Sequence, residues 1–200
     1  MTAYIRDADE IYRQSFSIIR AEADLTRIPP DLEKLAVRAA HACGMPGIVD
    51  DLHFSVGAGT AGRAALAQGA AILCDSAIVA EGVTRSRLPA NNRVVFEPRT
   101  DPATTPQAAT VAGWRPHLGG AVVAIGTDAT GLFRLLELLD EGAPRPALVL
   151  AFPFGFVGAA EAKQMLVDDP RGVPYVTLAG RRGGTAIAAA AINALATERE

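Results

Sequence analysis

Lysine is nearly missing from this chain: Lys34 and Lys163 stand against 17 arginines. The imbalance has two readings. One is a base-biased genome, which 39 alanines also fit; the other is carboxylate recognition, because a guanidinium grips a carboxylate bidentately and an ammonium does not. Long apolar runs are also lacking. The longest, Pro146 to Ala160, is cut by Pro153 and Gly155 and falls short of the ~18 residues a spanning helix requires, so no membrane segment is expected. Arg6, Asp7, Asp9 and Glu10 argue against the apolar core of a signal peptide. The two cysteines, Cys43 and Cys74, sit among apolar neighbours without metal-ligand spacing, which predicts free thiols in a reducing cytoplasm. A net charge of −3 with no block of like charge speaks against nucleic-acid or membrane-surface binding.

What is present describes a single globular domain over residues 1–200. Half the residues are hydrophobic and 20% are charged. A fold of this size buries roughly 70% of the surface its unfolded chain exposes, so it needs no metal or disulfide to fold. Asp7 and Glu10 have capping-box spacing ahead of a helical repeat that runs to about Ala23. Pro29 and Pro30 precede a second helix, from Leu32 to Cys43, that stops at Gly44. Short apolar runs at 70–74, 93–96, 121–125, 147–152 and 175–178 then alternate with helical segments at 60–67, 106–114, 128–139, 157–167 and 185–196. This is the pattern of an α/β fold: three α/β/α layers around a mainly parallel, Rossmann-like sheet of about five strands. The N-terminal helices, residues 7–44, should pack on an α/β core over 57–197. Ligands are expected beyond the carboxyl ends of the strands.

Several stretches could carry chemistry. Gly57-Ala58-Gly59-Thr60-Ala61-Gly62 matches the dinucleotide fingerprint, with Asp75 placed to meet a ribose. The stretch before it is broken by Asp50, Asp51, His53 and Ser55, so a glycine-eased turn into a helix is the stronger reading. His53 and His117 have surface or packing settings. His41 lies in the last turn of its helix, where the negative helix end raises its pKa and Arg38 lowers it. It could hold or donate a proton, or simply be a satisfied helix-end histidine. Thr84, Arg85, Ser86, Arg87, Asn91, Asn92 and Arg93 offer many donors and few acids, as a polycarboxylate ligand would need. Gly180-Arg181-Arg182-Gly183-Gly184 offers an anion cradle ahead of a helix. No nucleophile elbow, carboxylate pair or metal-ligand spacing stands out.

As a set, these segments resemble the precorrin-8X methylmutase family. The likeness is carried by Tyr4-Ile5-Arg6-Asp7, Ile11-Tyr12-Arg13-Gln14-Ser15-Phe16, His41-Ala42-Cys43-Gly44, Ile72-Leu73-Cys74-Asp75, Gly82-Val83-Thr84-Arg85-Ser86-Arg87, Gly155-Phe156-Val157-Gly158 and Gly180-Arg181-Arg182-Gly183-Gly184. The resemblance implies an isomerase of cobalamin (vitamin B12) biosynthesis that moves a methyl group from carbon 11 to carbon 12 of precorrin-8X, giving hydrogenobyrinic acid. It implies a homodimer with no cofactor and no metal. It also implies His41 as the catalytic residue, and Tyr12, Arg13, Ser15, Thr84 and Arg85 as contacts to the polycarboxylate tetrapyrrole. Two stretches depart from the family pattern. Pro106 stands where a substrate-binding arginine aligns, with Arg99 or Arg115 as possible substitutes, and Gly126 to Gly131 replaces a Gly-Asn-Ala-Pro-Thr-Ala loop. The departures motivate an alternative, a corrinoid-binding paralogue without turnover or with altered specificity.

Overall fold

The computed structural model describes residues 4–197. Helix α1 (Ala8–Glu22) starts where the sequence predicts, with the Asp7 carboxylate accepting from the Glu10 backbone N–H at 2.9 Å. The reciprocal half of the capping box is not made, because Glu10 turns its carboxylate to Arg13 and Gln14. Helix α2 (Glu33–Cys43) ends at Gly44, whose φ of 69° is a left-handed turn that glycine adopts without penalty. A 3-10 turn over Pro46–Asp51 then leads into β1 (Leu52–Phe54). There follow α3 (Ala58–Ala67), β2 (Ile72–Cys74), α4 (Ala77–Gly82), β3 (Val94–Val95), α5 (Pro106–Ala112), β4 (Val122–Ile125) and α6 (Ala129–Asp140). Strand β5 (Leu148–Ala151), α7 (Ala159–Asp168), β6 (Tyr175–Leu178) and α8 (Thr185–Ala196) complete the described residues.

The strands form one sheet in the order β1-β6-β5-β4-β2-β3, all parallel except β1, which runs antiparallel to β6 at one edge. Side chains alternate across it. Val122 and Ala124 of β4 enter one core with Leu35 of α2, Leu66 of α3, Val79 of α4 and Ile192 of α8. Val123 and Ile125 enter the other with Val111 of α5, Leu132 of α6 and Ala162 of α7. The expected three layers and parallel sheet are therefore present, with β1 and α4 added. An edge strand needs an apolar residue only on its inward face, so Leu52 is buried while His53 faces water, and no continuous apolar run marks β1. Helix α4, at six residues, is too short to show a helical period.

The glycine motif serves packing. Gly57 supplies a left-handed φ of 75° at the start of α3. A Cβ on Gly59 would stand 2.1 Å from the Asp31 carbonyl oxygen, and one on Gly62 would stand 2.6 Å from Leu148 Cδ2. The Asp31 carboxylate accepts from the Thr60 backbone N–H at 2.9 Å, so the chain's own acid fills the position a pyrophosphate would take. Asp31→Ala is expected to cost roughly 1 kcal/mol, as the loss of a helix cap does. A lower urea midpoint with an unchanged slope checks this.

Candidate functional site

Tyr12, Ser15 and Phe16 recur at helical spacing on α1 and meet the last turn of α2. There the Ser15 hydroxyl lies 2.8 Å from His41 Nδ1. The Tyr12 ring stands 5.4 Å from the imidazole, and the buried Phe16 ring meets it edge-on at 5.2 Å. The Arg38 guanidinium, one turn earlier on α2, lies 5.5 Å from the centre of Phe16. His41 is half-buried, and burial holds its pKa below 6.5, with the Arg38 charge adding to the effect. The rise expected from the helix end does not prevail. The imidazole is thus mainly neutral at pH 7, and a neutral ring whose Nδ1 accepts from Ser15 carries its proton on Nε2. Arg38→Gln is expected to move the His41 titration midpoint upward without reaching 6.5, because burial is the larger cause; histidine NMR signals followed against pH check it.

Three openings adjoin this pair. One of about 220 Å³ is lined by Ser15, Ile19, Glu22, His41 and Pro46, and another of about 270 Å³ by Arg38, His41, Gly82, Ala189 and Asn193. The third, about 330 Å³, is a cleft between Asp9, Tyr12, Arg13, Phe16, Arg38 and Arg87. Tyr12, Ser15 and His41 are therefore brought together as expected. Arg13 reaches the cleft, but its guanidinium is held by Glu10 at 2.6 and 2.7 Å, and that contact keeps the Glu10 carboxyl down at about 2. Thr84 is linked indirectly. Its backbone N–H donates to Asn193 Oδ1 at 2.8 Å, and Asn193 Nδ2 donates to the Gly82 carbonyl at 2.9 Å. Arg85 is exposed and lines none of these three openings, whereas Arg87, two residues on, does.

Of the lining residues, Arg38 stands out in sequence only as a neighbour that lowers the His41 pKa, and Arg87 only as one donor in the polar cluster from Thr84 to Arg93. Asn193, hidden among the alanines of α8, escapes motif reading altogether. Arg115 and Arg99 do not replace the arginine missing at Pro106 in these openings. Arg115 is bound to the Glu141 carboxylate at 2.8 Å and to its carbonyl at 3.0 Å, and Arg99 lies over Gly113 at the end of α5. Asp75 is turned to the protein's own backbone rather than to a surface cleft. It is buried at the end of β2, where it accepts from the Gly126 and Thr127 backbone N–H groups at 3.1 and 2.9 Å, and burial raises its pKa. Both cysteines are free. Burial pushes the Cys74 thiol up to about 12, so it is inert at neutral pH, while the half-buried Cys43 donates to the Ala39 carbonyl. His53 and His117 are exposed and stand apart from the site.

A sequence profile of the family described as Precorrin-8X methylmutase matches residues 10–198. The chain belongs to the precorrin-8X methylmutase family. A Precorrin-8X methylmutase of Pseudomonas aeruginosa is 64% identical over 100% of both chains, and one from Sinorhizobium sp. is 50% identical over 96% of each. Among solved structures, a precorrin-8X methylmutase from Thermus thermophilus superposes with a TM-score of 0.83 at 38% identity, covering 93% of this chain and 95% of that one. The similarity of this chain to its relatives therefore extends through the helix that carries His41 as well as the sheet.

Proposed function

We propose that this protein is the isomerase that moves the methyl group of precorrin-8X from carbon 11 to carbon 12, forming hydrogenobyrinic acid. The observation that carries the reading is similarity over the whole chain to proteins named for this reaction. The step is intramolecular and redox-neutral: one carbon–carbon bond breaks as its replacement forms, and no electrons are left over. The protein has to hold the macrocycle near the reactive geometry and draw electron density from its conjugated system. His41 supplies the second effect. With Nδ1 engaged by Ser15, Nε2–H is the donor for a ring nitrogen of the substrate, and the hydrogen bond strengthens as charge builds there during migration. Tyr12 and Phe16 fix the imidazole plane from two sides. Arg13, Arg38 and Arg87 around the neighbouring cleft meet carboxylates of the substrate, with Thr84 and Arg85 on the loop beside it.

The two departures have local structural roles. Pro106 opens α5 behind the Thr105 cap, and Asp128 caps α6 by accepting from the Thr130 and Gly131 N–H groups. Nothing in the site favours a binding protein without turnover. The decisive experiment is anaerobic conversion of precorrin-8X by the purified protein, followed by visible absorbance. Formation of hydrogenobyrinic acid is expected, and binding without conversion would instead put Pro106 and Thr127 under test. The protein acts in the cytoplasm as a homodimer, a reading supported by its two free thiols and by the exposed Ile11, Ile18 and Ile78. Light scattering should return twice the 20.8 kDa chain mass.

A further inference from the structure

The loops after β5 and β6 emerge side by side at the carboxyl ends of two paired parallel strands, and α8 follows the second directly. Their backbones are locked together. Gly155 N–H donates to the Arg181 carbonyl at 3.1 Å, and Gly184 N–H to the Phe152 carbonyl at 2.8 Å. A Cβ on Gly183 would stand 2.3 Å from the Phe152 carbonyl oxygen, so the two loops touch backbone to backbone. Beneath them the buried Lys163 ammonium donates to the Arg182 carbonyl at 2.6 Å, and the Arg182 guanidinium pairs with Asp51. On this fixed base stand Phe156, 85% exposed, and Val157, 90% exposed. The Arg181 guanidinium lies 5.3 Å from the centre of the Phe156 ring and makes no ion pair among the described residues.

We propose that Phe156 and Arg181 form a second substrate-contacting wall, a ledge that takes a flat face of the macrocycle and one of its carboxylates, with Lys163 as the residue that positions it. The inference rests on the methylmutase reading. Two observations select the occupant. A rigid aromatic surface left in water beside an unpaired guanidinium complements a ligand that is both planar and edged with carboxylates. The ledge also continues the site, because the first turns of α8 carry Ala186 and Ala189, which line the opening beside His41. Lys163 is the structure's only buried cation on the described residues, and its cost is met by fixing the loop that bears Arg181.

The test compares the full chain with Phe156→Ala, Arg181→Ala, Arg181→Lys and Lys163→Met, using steady-state kinetics on precorrin-8X and absorbance titration with hydrogenobyrinic acid. The first two should raise KM and weaken product binding roughly tenfold, the scale of one lost aromatic face for Phe156→Ala and of one lost charge-assisted contact for Arg181→Ala. Their kcat should stay within a few-fold and their melting temperature should not move. Arg181→Lys should recover only part of the loss, since the ammonium gives no fork. Lys163→Met should show the same KM-against-kcat split. Unchanged KM and binding in both Phe156→Ala and Arg181→Ala would overturn the ledge, as would conversion of Phe156→Ala to a monomer, which makes it an interface between copies. A wild type that neither converts the substrate nor binds the product would instead overturn the methylmutase reading, and the ledge with it.

Discussion

His41→Ala is expected to convert precorrin-8X about 10²–10⁴-fold more slowly than the wild type, the range over which a positioned proton donor contributes. Product affinity should change only a few-fold, because the arginines around the cleft between α1 and α2 are untouched. Absorbance-monitored conversion beside a product titration separates the two effects, and unchanged turnover would remove His41 from the reaction. Ser15→Ala should fall between them. The imidazole would keep its place between Tyr12 and Phe16 but lose the partner that fixes its tautomer. A loss of roughly fivefold in kcat with little change in KM is the expected signature, since the lost contact is worth about 1 kcal/mol.

Gly59→Ala should cause the largest loss of stability of any single methyl added to α3. The new Cβ would meet the Asp31 backbone at 2.1 Å, and a backbone atom cannot swing aside as a side-chain tip can. A cost of about 3 kcal/mol, the upper end for overpacking, is expected in urea unfolding. Neither wild type nor variant should gain thermal stability from NAD(P) or flavin. A variant as stable as the wild type would show that the Gly59 contact with Asp31 is not needed.

The reason Gly59 is misleading in sequence is also the reason parts of the fold escape it. A glycine spaced for a phosphate and a glycine spaced for a neighbouring carbonyl look alike until the neighbour, here Asp31 from 28 residues away, is in place. The central strands β4 and β5 are legible because both faces are buried and every residue must be apolar. Strand β1 is not, because a solvent face lets polar residues through. His41 shows the same division. Its helix end and its Arg38 neighbour are sequence facts, but the burial that lowers its proton affinity, and its ring contacts with Tyr12 and Phe16 on another helix, exist only in the fold. The arginine excess likewise becomes interpretable only once Arg13, Arg38 and Arg87 share one cleft.

The pairing of β1 with β6 and the packing of α2 on α8 join elements more than 100 residues apart in sequence. Such contacts close long loops, so they form late and slowly in folding. During synthesis the helix bearing His41 leaves the ribosome long before the helix that covers it exists, with Leu35, Ala36 and Ala39 exposed in the interval. The reaction centre is therefore completed only once α8 has been made, and a chain stopped before α8 should be an aggregation-prone product without activity.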